Sequence, residues 1–114
     1  MFPIKPNTLY VTYSMYFSAF LFVNFKKKSP NYHEQPKLPG LGNFTIDQTF
    51  FLGSAHAWCA ETLDKAAINQ MKMDTHPPNK LRVNQAFRNF KPFSDVWSCP
   101  VGSPMNPEEK CNLW

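Results

Sequence analysis

The residues that could do chemistry crowd into one short stretch, Asp74-Thr75-His76-Pro77-Pro78, with Arg82 four residues beyond it. A carboxylate two residues before a histidine can approach an imidazole nitrogen, where it selects the tautomer and favours the charged ring. A histidine held in that way can donate a hydrogen bond to an oxyanion as negative charge develops on it. An arginine shortly after it can grip a carbonyl or carboxylate with a fork of N–H donors. Taken alone, such spacing more often marks a loop histidine before two prolines and an arginine on a helix surface. The remaining histidines suggest less: His56 falls inside a helical stretch as a partly buried packing residue, and His33 sits with Glu34 in an exposed linker.

Other chemistries lack their residues. The chain contains no H-E-x-x-H, no G-x-S-x-G and no glycine-rich phosphate loop. Its three cysteines, Cys59, Cys99 and Cys111, include no C-x-x-C pair, which is poor spacing for a structural zinc site. Their odd number leaves at least one thiol to pair outside the chain or stay free.

The elements that must position Asp74, His76 and Arg82 are helices. Thr45-Ile46-Asp47-Gln48 reads as a capping box, with Asp47 adding negative charge in the first turn. From there Ile46, Phe50, Phe51, Ala55, Trp58 and Cys59 recur at helical spacing. Residues 60–73 are more polar, and Glu61 and Lys65 are ordered as an i,i+4 pair. Pro77 pushes His76 out of helical geometry, and Pro78 suits the first turn of a new helix. Val83, Ala86, Phe87 and Phe90 give that helix a buried face. Pro92 opens a further short helix that turns Phe93, Val96 and Trp97 inward and ends at Cys99; the rest is irregular.

Upstream, Leu9–Phe25 is an apolar, aromatic run of 17 residues, at the lower edge of a membrane span of about 20. Its lysines follow it, and no convincing signal-peptide cleavage site is present. A buried amphipathic helix with Ala19, Phe22, Val23 and Phe25 on one side fits as well. Ser29–Gly42, rich in proline and glycine, reads as a linker without regular structure.

With 114 residues the chain has material for one small domain, and the pattern is mainly α. Its net charge of +4 comes wholly from residues 1–37, where five lysines face Glu34 alone; residues 38–114 balance seven charges of each sign. The folded part therefore has no electrostatic footprint for nucleic acid. Asn43-Phe44-Thr45 is an N-glycosylation sequon, with meaning in a secreted chain.

The order of motifs resembles a known family. Leu38-Pro39-Gly40-Leu41, Gln48-Thr49-Phe50-Phe51-Leu52-Gly53, Trp58-Cys59, Asp74-x-His76, Arg82, Phe93-Ser94 and Cys99 lead to Gly102-Ser103-Pro104-Met105-Asn106-Pro107 and Cys111-x-x-Trp114. In order and spacing they are similar to the C-terminal end of neprilysin and endothelin-converting enzyme, extracellular zinc metallopeptidases. The match covers residues 37–114 and extends faintly to Ala19-Phe20. The resemblance implies residues 19–114 as the C-terminal helical part of a peptidase catalytic domain, preceded by a non-matching apolar segment, 1–18. It implies His76 as the group that stabilises the tetrahedral intermediate, Asp74 as the acid beside it, and Arg82 as the grip on the substrate backbone. Trp58 and Ala57 would line the pocket for the side chain after the cut bond. Cys59, Cys99 and Cys111 would each pair with a cysteine outside this chain.

The family's zinc ligands, two histidines of H-E-x-x-H and a glutamate farther on, are not among these residues. The resemblance thus implies a zinc endopeptidase acting on peptides whose zinc belongs to the full-length enzyme and is not bound by this stretch, which is incomplete without the N-terminal half of the domain. By itself the stretch would be inactive, only marginally folded, and carry a free thiol. The location implied is extracellular, as a secreted protein or the ectodomain of a single-pass membrane protein. A non-catalytic secreted decoy or binding module that kept the substrate groove is the alternative. Ser54 and His56 stand where the family has Phe and Gln, Ala57 where it has Val, and Pro77 where Ser is common. These departures bear on pocket size and on the start of the next helix.

Overall fold

A computed structural model describes residues 18–111, the side chain of His33 excepted. Residues 18–28 are helical (α1), a 3-10 turn covers Tyr32–Glu34, and four helices follow: α2 Ile46–His56, α3 Asp64–Met73, α4 Asn79–Arg88 and α5 Lys91–Val96. No strand occurs among the described residues; Ser103 and Asn106 form an isolated antiparallel bridge. The mainly α expectation holds.

Helix α2 starts as its sequence dictates. The Thr45 hydroxyl accepts from the Gln48 N–H at 3.1 Å, and Gln48 Oε1 accepts from the Thr45 N–H at 2.9 Å. Two N–H groups that the first helical turn would leave unpaired are thereby satisfied. Asp47 also ties three segments together. Its carboxylate accepts from Tyr32 Oη at 2.6 Å and pairs with Lys26 of α1. Burial of Tyr32, followed by its hydrogen bond to the Asp47 carboxylate, pushes the phenol pKa well above its ordinary value.

The core is aromatic. Phe51 of α2 meets Phe87 and Phe93 edge-on, both at centroid distances of 5.2 Å, and Phe87 stacks on Phe93 at 5.1 Å. Ala19, Phe51, Ala86, Phe87 and Phe90 are buried, with Val23, Phe50, Val83, Phe93, Val96 and Met105 packed around them. The edge-to-face geometry sets the positive rim of one ring against the negative face of another. The C-terminal turns fasten to this core through Ser94 Oγ, which donates to the Met105 carbonyl at 3.2 Å, and Asn106 Nδ2, which donates to the Cys99 carbonyl at 2.8 Å. Gly102 adopts φ +87, a conformation that a side chain would strain.

Several local expectations need correction. His56 is exposed, because it falls on the outer side of the last turn of α2. Cys59 lies beyond the end of α2 and is exposed, so it does not extend the apolar stripe. Phe25, grouped with Ala19 by period, is 66% exposed. Glu61 precedes α3, which begins only at Asp64, so Glu61 and Lys65 are not neighbours on one helix. The 29–42 stretch contains the 3-10 turn and buries Tyr32. Pro78 is the N-cap of α4, one residue before its first turn, and α5 stops at Val96 rather than Cys99. No described helix is long and apolar enough to cross a membrane; residues 9–17, the start of the apolar run, lie outside the described residues.

Candidate functional site

The connection between α3 and α4 carries the histidine. Asp74 caps the C-terminus of α3, with extended backbone and its N–H bonded to the Gln70 carbonyl at 2.9 Å. Its carboxylate then turns forward: Oδ1 accepts from the His76 backbone N–H at 2.9 Å. A side chain closing onto the N–H two residues on is an Asx turn, which replaces the helical hydrogen bond that ended at Gln70. The same oxygen lies 3.2 Å from His76 Nδ1. The acid thus fixes both the backbone and the ring of His76. The backbone hydrogen bond from His76 chiefly, and its ring next, hold the Asp74 carboxyl below its ordinary pKa.

Asp74 and His76 are both solvent-exposed in this chain, while Pro77, directly after them, is buried and anchors the connection. Thr75 Oγ1 lies 3.3 Å from His76 Nδ1, and Gln70 Nε2 reaches the His76 carbonyl at 3.5 Å. Neither contact was legible in the sequence. Gln70 is one of several polar residues in α3, and only the turn at 74–76 brings a carbonyl back to it.

Arg82 occupies the opposite environment. It is the fourth residue of α4, with its backbone N–H bonded to the Pro78 carbonyl at 3.0 Å. Only 7% of its surface is exposed. Its guanidinium carbon lies 4.1 Å from the centre of the Trp58 ring, a cation–π contact across from the turn that ends α2. The period of α4 marks Val83, Ala86, Phe87 and Phe90 as its inner face and leaves Arg82 as a surface candidate; the structure buries Arg82 with them. Its Nε finds no hydrogen-bond partner among the described residues. A buried cation with an idle donor is costly unless an acceptor completes it.

Of the sequence-selected residues, the structure joins Asp74 to His76 and Trp58 to Arg82. No hydrogen bond or ion pair among the described residues links these two pairs to each other. Ala57, the C-cap of α2, is exposed beside Trp58. Asn43 is exposed in the turn before α2. Cys59 and Cys111 are exposed and Cys99 is half-buried, and all three are free thiols. Among the described residues no group of three or more His, Cys, Asp or Glu side chains stands close enough to hold a metal ion. Asp74 and His76 supply two donors at most, already engaged with each other. This donor set does not fit a zinc ion on its own.

Comparison with known proteins places these features. The model of peptidase family M13 matches residues 18–113. Neprilysin-11 of Caenorhabditis elegans is 42% identical over 81 residues, 71% of this chain and 10% of the relative. Neprilysin-3 of Drosophila melanogaster is 45% identical over 78 residues, 68% of the chain and 10% of the relative. Human endothelin-converting enzyme 1 is 41% identical over 91 residues, 80% of the chain and 11% of the relative. The chain spans about a tenth of the length of the curated relatives it matches. With a family model covering all of its described residues, the chain belongs to peptidase family M13, the neprilysin and endothelin-converting enzyme family.

Proposed function

We propose that this chain forms the substrate-holding and oxyanion-stabilising side of a zinc metalloendopeptidase active site that cleaves peptides outside the cell, with the zinc ligands on residues other than these 114. The observation that carries the reading is the state of Arg82: buried, stacked on Trp58, and with Nε idle. Donors of that kind await a carbonyl or carboxylate, and a peptide offers both. A peptide acceptor meeting the guanidinium would fix the register of the substrate backbone. Trp58 and the small Ala57 beside it would bound the pocket for the side chain that follows the cut bond.

His76 has the complementary task. With Nδ1 turned to Asp74, Nε2 is the ring nitrogen left to meet substrate, and a ring protonated there would donate to the carbonyl oxygen as it becomes an oxyanion. The carboxylate does not take that proton; it stabilises the imidazolium and holds its direction. Asp74 is thus a positioning residue, and His76 the group that touches the reacting atoms.

The test is a pair of substitutions in the full-length enzyme. His76→Ala should lower kcat by about 10²–10³, the usual cost of one lost oxyanion donor, with little change in KM. Arg82→Ala should act mainly through KM. An unchanged kcat in His76→Ala would refute the role given to His76. Binding of peptides without hydrolysis by the full-length protein would favour a decoy or binding module instead.

A further inference from the structure

We propose that Asn43 is an acceptor for N-linked oligosaccharide whenever the chain passes through the secretory lumen, so that the turn preceding α2 carries a glycan. The inference rests on the extracellular reading above. It draws on Asn43-Phe44-Thr45, the only N-x-S/T triplet in the chain, with no proline at the second or following position.

The fold gives this triplet the separation of roles that a glycan requires. Leu41 and Phe44 close a turn, the Phe44 N–H bonding to the Leu41 carbonyl at 3.0 Å, and Gly42 and Asn43 form its exposed tip. Both sides of the tip are fastened. Lys37 Nζ donates to the Gly42 carbonyl at 2.7 Å, and the half-buried Phe44 meets Trp97 edge-on at 6.2 Å. Phe44 thus points inward and Asn43 outward. The surroundings of the tip are open: a side chain added at Gly42 would meet nothing within 4 Å. A bulky, hydrated sugar on Asn43 therefore displaces no packed group.

The third residue adds a constraint on timing. In the folded chain the Thr45 hydroxyl accepts from the Gln48 N–H as the cap of α2. The same hydroxyl is what makes the triplet an acceptor, so transfer precedes closure of the cap. In that transfer the Asn43 side-chain nitrogen forms a bond to C1 of an oligosaccharide carried on a lipid diphosphate. The C1–oxygen bond breaks, the diphosphate leaves, and the amide nitrogen gives up one proton. No atom is oxidised or reduced. Once the chain folds, the glycan is borne two residues before the Thr45–Gln48 cap that starts α2.

The experiment directs the full chain into endoplasmic-reticulum microsomes behind a cleavable secretory leader. Luminal product is recovered by its resistance to external protease, and the tryptic peptide 38–65 is weighed. The wild type should carry one glycan. Enzymatic release in heavy-oxygen water should convert Asn43 to labelled aspartate. Asn43→Gln and Thr45→Ala should abolish the glycan, and Thr45→Ser should retain it. Luminal wild-type chain with an unmodified 38–65 peptide would overturn the proposal. That outcome is independent of peptide hydrolysis: a glycan on an inactive full-length enzyme would sink the peptidase reading and leave this one standing.

Discussion

Replacing Arg82 by methionine separates a structural arginine from one that waits for substrate. Methionine keeps most of the length and all of the apolar stem while removing the charge. What is lost is the contact with Trp58, at 4.1 Å from the ring centre and largely desolvated, worth about 2 kcal/mol. What is gained is relief from burying a cation, an effective penalty of several kcal/mol, and removal of an idle Nε donor, worth about 1–3 kcal/mol. The balance favours methionine, so Arg82→Met should melt at or above the wild-type temperature. Catalysis should respond in the opposite sense. A charge-assisted hydrogen bond to substrate is worth about 1.5–3 kcal/mol, which corresponds to about a tenfold to 150-fold loss in kcat/KM, carried mainly by KM. The assay is thermal melting together with steady-state hydrolysis by the full-length enzyme. An Arg82→Met variant that is destabilised by about 2 kcal/mol or more while KM stays at the wild-type value would refute the argument. It would mean that Arg82 holds the fold and not the peptide.

Three further outcomes are expected. The Asp74 carboxyl should titrate below its ordinary value of 3.8, read by carboxyl-carbon NMR; because its folded pKa is depressed, its contribution to the 74–76 turn is present above the unfolded pKa and is lost as pH falls through the folded one, and a midpoint at or above 3.8 would contradict the Asx turn. Phe51→Ala should cost about 3–5 kcal/mol by chemical denaturation, because Phe51 is buried and touches Phe87 and Phe93 edge-on at 5.2 Å; a loss below about 1 kcal/mol would show that the aromatic cluster is loosely packed. The 114-residue chain by itself should show no peptide hydrolysis and at least one titratable thiol per monomer after oxidative refolding, since Cys59, Cys99 and Cys111 are free of one another; zinc-dependent cleavage by the purified chain, or a soluble monomer with no titratable thiol, would contradict this expectation.

Local order already shows what chemistry is on offer and where α2, α4 and α5 begin to within a residue. The Thr45–Gln48 box, Pro77-Pro78 and Pro92 act over three or four residues, so their effect is written in local order and needs no distant partner. The apolar period likewise marked Phe51, Ala86, Phe87 and Phe90 as core before any packing was known. Asp74 and His76 are two residues apart, and their contact follows from that spacing.

Helix packing sets whatever depends on which face is covered. The period of α2 and α1 could not say that His56 and Phe25 would lie in solvent, because a helix repeats its faces without knowing where its neighbours stop. It could not bury Tyr32, whose partners Lys26 and Asp47 come from the helices on either side of the linker. Above all it could not give Arg82 its character. A helical arginine reads as a surface residue until α4 packs on α5 and the end of α2 sets Trp58 over it. Contact between residues so far apart in the chain is a property of the packed helices. It is that packing which turns an ordinary cation into a buried donor with no partner for Nε among the described residues, because desolvation acts on the guanidinium only after the indole has displaced its water.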